Sequence, residues 1–106
     1  MPDFSLAKLA KLIDERARTD TRSSYTRSLL EGGAPRTAKK FGEECVELII
    51  AALSADAGAV RSEAADVLYH LLVLLKSSNV SLDGVLAELE RRTKQSGHEE
   101  KAARKP

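Results

Sequence analysis

Five carboxylates in the middle of the chain carry the strongest chemical signal. Glu43, Glu44 and Glu47 form one group, and Glu63 and Asp66 a second. Glu44 and Glu47 are three residues apart, as are Glu63 and Asp66, so on helices each pair shares a face. Glu47 stands eight residues before Ala55 and Glu63 eight after; Glu44 stands eleven before and Asp66 eleven after. A break of a few residues near Ala55 would make the two segments antiparallel neighbours. Folding there sets Glu47 opposite Glu63 and Glu44 opposite Asp66. Converging carboxylates repel one another and bind protons unless a counter-charge is present. Mg²⁺ answers that need, because it takes oxygen ligands and keeps waters that phosphate oxygens can replace. Two such ions would neutralise four carboxylates and could generate a hydroxide nucleophile. Without a Glu-x-x-His motif, a hard cation is favoured over iron or zinc. The competing reading is structural: glutamate favours helices, and E-x-x-E is common on solvated faces.

Cationic residues precede the acidic group. Lys40 lies one turn before Glu44 and Arg36 one turn before Lys40, where they could hold phosphates that bridge to a metal. An i,i+4 salt bridge to Glu44 explains Lys40 equally well. Lys39 lies further round and reads as a surface residue. His70, four residues after Asp66, reads as packed at a helix boundary, with a supporting role beside Asp66 as the alternative. Cys45 falls among apolar positions and reads as a core thiol. No P-loop or Ser-His-Asp arrangement is visible.

These side chains need helices to position them. Leu6, Leu9, Ala10 and Ile13 recur at helical spacing behind Ser5, a good N-cap, which predicts a helix over residues 5 to about 18. The stretch from Thr19 to Pro35 is rich in Thr, Ser and Gly. It reads as a long loop with a short turn around Ser28 to Glu31. A second helix is expected from about Arg36 to Ser54. Ala38, Phe41, Cys45, Leu48, Ile49 and Ala52 fall on one face, and Val46, Ile50 and Leu53 on a second flank. So wide an apolar arc implies contacts on two sides. Asp56 caps a third helix over about Ala57 to Ser77, and a fourth runs from Leu82 to about Lys94, ended by Ser96-Gly97.

The chain of 106 residues fits a single domain, with residues 96–106 a charged tail that could be disordered alone. Aromatic content of 4% with no Trp leaves Leu, Val, Ile and Ala to build the core. That palette favours an all-α helical bundle. Seventeen basic residues against sixteen acidic ones, a formal charge of +1, argue against general nucleic-acid binding. One cysteine rules out an internal disulfide and fits a reducing cytoplasmic setting. The N-terminus lacks the apolar core of a signal peptide, and no apolar run is long enough to span a bilayer.

The pattern E-E-x-x-E followed by E-x-x-D resembles the all-α, MazG-like nucleoside triphosphate pyrophosphohydrolases. Within that group, SSYTRSLLEGGAPRTAKKFGEECVELIIAAL, EAADVLYHLLVLL, SLDGVLAELERR and SGHEEKAARKP resemble the phosphoribosyl-ATP pyrophosphatases, over residues 4 to about 104. The resemblance implies hydrolysis of phosphoribosyl-ATP to phosphoribosyl-AMP and pyrophosphate, the second step of histidine biosynthesis. It also implies Mg²⁺ and a homodimer that completes a bundle of four to five helices. On matching positions Glu44, Glu47, Glu63 and Asp66 become metal ligands. Glu43 becomes a ligand or water-orienting base, so that Glu43, Glu44 and Glu47 form the catalytic set. Tyr25, Thr26 and Lys40 become substrate contacts, with Arg36 beside them. In the tail, Ser96, Gly97, Glu100, Lys101 and Arg104 fit the family pattern, with Lys101 and Arg104 as candidate substrate contacts. Ala103 replaces the usual serine. The chain has no room for a fused cyclohydrolase and resembles the stand-alone form. Independently, the two apolar flanks of the second helix favour a second copy covering the spare surface.

Two other functions fit parts of the sequence. A broad house-cleaning pyrophosphatase acting on ordinary nucleotides would carry the same acidic motif. A non-catalytic helical dimerisation module would carry it as a solvated face.

Overall fold

The computed structural model describes residues 3–19 and 24–94. Among them the chain forms five helices and no strand: α1 Leu6–Arg16, α2 Tyr25–Glu31, α3 Gly33–Ser54, α4 Ala57–Ser77 and α5 Leu82–Thr93. The all-α expectation holds. Ser5 caps α1 by accepting from the Lys8 N–H at 3.1 Å. Asp56 caps α4 by accepting from Gly58 and Ala59, and Ser81 caps α5. Each such cap is worth about 1 kcal/mol.

The expected loop between residues 19 and 35 is corrected by the structure. Its second half is α2, capped by Ser24, whose hydroxyl accepts from the Arg27 N–H and donates to the Arg16 carbonyl. The Arg27 guanidinium also donates to the Ala17 carbonyl at 2.7 Å, fastening α2 to the end of α1. Ser24, in this Ser- and Thr-rich stretch, is thus a helix cap. The next helix starts at Gly33, three residues earlier than expected. Pro35 falls in its first turn, where no intrahelical N–H bond is needed. Gly33 has φ 72°, which glycine tolerates, and this lets α3 turn directly out of α2.

α3 and α4 form the antiparallel hairpin that the sequence implied. They turn at Ala55, a left-handed residue with φ 61°. Thr37 on α3 and Ser77 on α4 join the hairpin's other end through their hydroxyls, 2.6 Å apart. Ile13, Leu29, Leu72 and Val73 make the buried core, with Leu9, Leu30, Tyr69 and Leu75 packed around it. That core lies where α1 and α2 meet α4.

The buried positions of α3 are Thr37, Glu44 and Ala51, seven residues apart. Its inward seam is therefore small and polar, while Val46, Ile49, Ile50 and Leu53 point outward, Leu53 being 83% exposed. The second apolar flank expected from the sequence, Val46, Ile50 and Leu53, is the exposed one, and Ile49 and Ala52, expected on the first face, are exposed with it. No described helix is long and apolar enough to cross a membrane.

Candidate active site

The hairpin brings the acidic residues to one place. Glu44 on α3 and Glu63 and Asp66 on α4 offer carboxylate oxygens within 4.8 Å of one another. Glu44 is buried at 6% exposure, Glu63 is half-buried and Asp66 is open to solvent. Glu47 lies one turn beyond Glu44. Its closeness to the Glu44 carboxyl, with burial and the charge of Glu63 adding to it, pushes the Glu47 pKa above its ordinary value. Burial, then the hydrogen bond and charge of Asp66, raise that of Glu63 in the same way. The group is short of positive charge. Lys40 provides part of it, its ammonium 3.4 Å from Glu44 and 3.8 Å from Glu43. The Glu44 hydrogen bond in turn raises the Lys40 pKa, with the Tyr25 phenol and the Glu43 carboxylate adding to it. Three hard oxygen donors from two helices could hold a metal ion, with Glu47 adjacent.

Beside the acidic group lies a cleft of about 370 Å³ lined by Tyr25, Leu29, Arg36, Lys39, Lys40 and Glu43. Three cations and a phenol suit a phosphorylated ligand. Arg36 folds back over Gly32, where an added Cβ would lie 2.3 Å from Arg36 Cδ. Glycine at 32 therefore gives the arginine stem its course. A larger cavity of about 500 Å³ lies between α1, the end of α4 and the start of α5. It includes none of the acidic group, so size does not mark the site here.

α2 is tied to α4 by adjacent residues on both sides. The buried Thr26 hydroxyl bonds the Tyr69 hydroxyl, and the Tyr25 hydroxyl lies 3.3 Å from His70 Nε2. His70 Nδ1 donates to the Asp66 carbonyl at 2.7 Å. The Tyr25 and Tyr69 rings stack with centroids 6.3 Å apart, and His70 meets Tyr69 edge-on.

The structure thus gathers Glu44, Glu63 and Asp66, sets Glu47 beside them, and puts Glu43, Lys40, Arg36 and Tyr25 around the cleft. It does not bring the Thr26 side chain to the cleft: that residue is 1% exposed and its hydroxyl is engaged by Tyr69. Lys39, read from sequence as a surface residue, lines the cleft. Lys101 and Arg104 lie outside the described residues. Sequence reasoning missed Tyr69 and left His70 between two readings. The available signal was their spacing, three and four residues after Asp66, which places both one turn along from it.

A helical hairpin that gathers carboxylates from both arms beside a cationic cleft defines the class: an all-α domain with an acidic cluster that could hold a metal ion next to a cleft that suits phosphates. A family model described as Phosphoribosyl-ATP pyrophosphohydrolase matches residues 6–93, and the chain belongs to that family. It is 58% identical over 106 residues to the phosphoribosyl-ATP pyrophosphatase of Methylobacterium radiotolerans, covering 100% of this chain and 99% of the relative. The proteins of the same name from Azorhizobium caulinodans and Rhizobium etli are 56% and 52% identical. They cover 94% and 98% of this chain, and 92% and 97% of their own lengths.

Proposed function

We propose that this chain hydrolyses phosphoribosyl-ATP to phosphoribosyl-AMP and pyrophosphate, a step of histidine biosynthesis, and that it does so with Mg²⁺, as a cytoplasmic homodimer. The observation that carries the reading is the gathering of Glu44, Glu63 and Asp66 by one hairpin, next to a cleft carrying Arg36, Lys39 and Lys40. Full-length relatives bearing the name phosphoribosyl-ATP pyrophosphatase support the substrate.

The donor set fits a hard divalent cation, since all three clustered donors are carboxylates and none is a thiol or imidazole. Glu44, Glu63 and Asp66 would hold it, with Glu47 as a fourth ligand. Bound Mg²⁺ supplies Lewis-acid polarisation of phosphate oxygens and a water of lowered pKa. The protein's own residues do the rest. Lys40 and Arg36 bind phosphate oxygens and hold the anhydride against the acidic face. Glu43, next to Glu44 and facing the cleft, orients or deprotonates the attacking water. Tyr25 contacts the nucleotide at the cleft rim. In the tail, Lys101 and Arg104 would add charge over the substrate.

The test is pyrophosphate release from phosphoribosyl-ATP with and without Mg²⁺, with dATP alongside. Fast Mg²⁺-dependent release from phosphoribosyl-ATP alone is expected. Release from dATP in its place would move the protein to nucleotide house-cleaning, and no release from either would overturn the enzyme reading.

A further inference from the structure

We propose that His70 is a positioning residue: an imidazole protonated on Nδ1 whose Nε2 accepts a hydrogen bond from the Tyr25 phenol, so that Tyr25 meets the substrate as a hydrogen-bond acceptor. The inference deepens the pyrophosphohydrolase reading and rests on it for its kinetic consequences, while its tautomer is argued from geometry alone.

The geometry has one consistent proton assignment for a neutral ring. The Asp66 carbonyl can only accept, so Nδ1 at 2.7 Å must carry the hydrogen. Nε2 is then a bare acceptor, and the only group bonded to it among the described residues is the Tyr25 hydroxyl. A phenol has one proton. Once that proton points to Nε2, the Tyr25 oxygen presents only lone pairs to the cleft it lines. His70 is buried, and the edge of the Tyr69 ring fixes its plane, so the direction of the phenol is set before any ligand arrives. Tyr25 is half exposed, stacks on Tyr69 and meets His70 edge-on, and its phenol also acts on the Lys40 ammonium.

The consequence is a division of labour in the cleft. Fully ionised phosphate oxygens have no proton to give and are repelled by an acceptor, so they go to Lys40, Lys39 and Arg36. Tyr25 takes a group that donates: a sugar hydroxyl or a base amino group of the nucleotide. His70 touches neither and acts through Tyr25 alone.

Two measurements test this. Nitrogen-15 imidazole spectra of the full chain are recorded at about pH 8, where an ordinary histidine is neutral; His98→Gln identifies the His70 signals. A protonated Nδ1 is expected, with an Nε2 resonance that moves in Tyr25→Phe. An Nε2-protonated ring, or an Nε2 signal that Tyr25→Phe leaves in place, overturns the proposal. In kinetics, Tyr25→Phe and His70→Phe should each raise KM for phosphoribosyl-ATP about five- to tenfold, the scale of one hydrogen bond. Inhibition by inorganic pyrophosphate and kcat should stay within about threefold. His70→Gln, which keeps an acceptor near Nε2, should recover most of the KM. The double Phe variant should be no worse than either single one. Parallel losses of pyrophosphate and substrate binding, or additive effects, would reduce His70 to packing and sink the proposal. If the wild-type chain turns over no phosphoribosyl-ATP, the functional reading fails and the nitrogen spectrum alone decides the His70 assignment.

Discussion

The Lys40 ammonium lies 3.4 Å from the Glu44 carboxylate, one turn along α3, and it lines the cationic cleft as well. A residue that served only as an intrahelical ion pair would matter slightly to stability and not at all to turnover. A residue that neutralises charge on a transferring phosphoryl group would matter chiefly to turnover. Lys40→Met is therefore expected to melt close to the wild-type temperature while losing about 10²-fold in kcat/KM. Thermal melts and pyrophosphate-release kinetics on the same preparation check both halves.

The crowded carboxylates make a pH prediction whose sign follows from their shifts. Glu47 and Glu63 have folded pKa values above the ordinary carboxylate value, through the closeness of the Glu44 carboxyl and through burial respectively. A raised carboxyl contributes stability below the unfolded pKa, and that contribution is lost as pH rises through the folded one. The metal-free protein should thus lose thermal stability as pH rises above the ordinary carboxylate range. Glu88 on α5 acts in another window. Arg91 and Arg92 hold it down to about 2, so its contribution is lost only as pH falls towards that value. Adding Mg²⁺ should cancel the loss at neutral pH, because a bound cation favours the ionised forms. Glu63→Gln should flatten the metal-free profile and abolish the Mg²⁺ response. Melting curves over pH with chelator or Mg²⁺ check this. An equal Mg²⁺ response in Glu63→Gln would remove that residue from the ligand set.

Ligand removal can be read in activity too. Asp66→Asn leaves the shape of the site but withdraws one charged oxygen from the three gathered by the hairpin. Turnover is expected to fall about 10²-fold or more, since losing even a group that only supports a metal ligand costs about 10- to 100-fold. The fold should survive, since removing one of several repelling charges relieves strain on the hairpin. Full activity in this variant and in Glu47→Ala would leave the acidic face as a structural feature only.

The helices and the acidic hairpin were legible in the sequence for a simple reason. Helical spacing, the Ser5 and Asp56 caps and the break at Ala55 are local features. Equal counts on either side of that break set Glu44 opposite Asp66 and Glu47 opposite Glu63, and the structure gathers Glu44 with both Asp66 and Glu63 and leaves Glu47 one turn away. The misread parts depend on distant contacts. α2 is seven residues long and is held by Ser24, Arg27, Tyr69 and His70, partners that no local pattern names. Which flank of α3 faces its own chain was not legible, because apolar periodicity shows where apolar side chains stand, and not whether they face their own chain or another surface. Thr26 and Tyr25 are neighbours in sequence, yet one is sealed in the core and the other lines the cleft. Only the path of α2 across α4 separates them.

The two turns framing α3 can be tested as a pair, because one suits its backbone and the other does not. Gly33 has φ 72° and Ala55 has φ 61°. An L side chain in this region costs about 1–2 kcal/mol. Gly33→Ala should destabilise by about that amount, and it would disturb the path from α2 into the cleft. Ala55→Gly should relieve the strain, offset in part by greater freedom of the unfolded chain, for a net gain of up to about 1 kcal/mol. Urea unfolding of the two variants should therefore move in opposite directions.

Val46, Ile49, Ile50 and Leu53 form a stripe at helical spacing, roughly half a turn round α3 from Glu44. All four are more than half exposed, and Leu68 on α4 and Leu86 and Leu89 on α5 are exposed as well. Such exposed apolar side chains suit the homodimer proposed above. That dimer would bury them and would back the acidic hairpin from the outside, stiffening the helix that carries Glu44 and Lys40. A charge placed in the middle of the stripe should then act on association first and on the site second. Ile50→Glu is expected to weaken self-association by about 10²-fold, the scale of burying an unpaired charge at an interface. In sedimentation the wild-type chain should run as a dimer at micromolar concentration and the variant as a monomer. A monomeric wild-type chain with full activity would assign the stripe to some other partner, and a dimeric Ile50→Glu would move the interface elsewhere on the molecule.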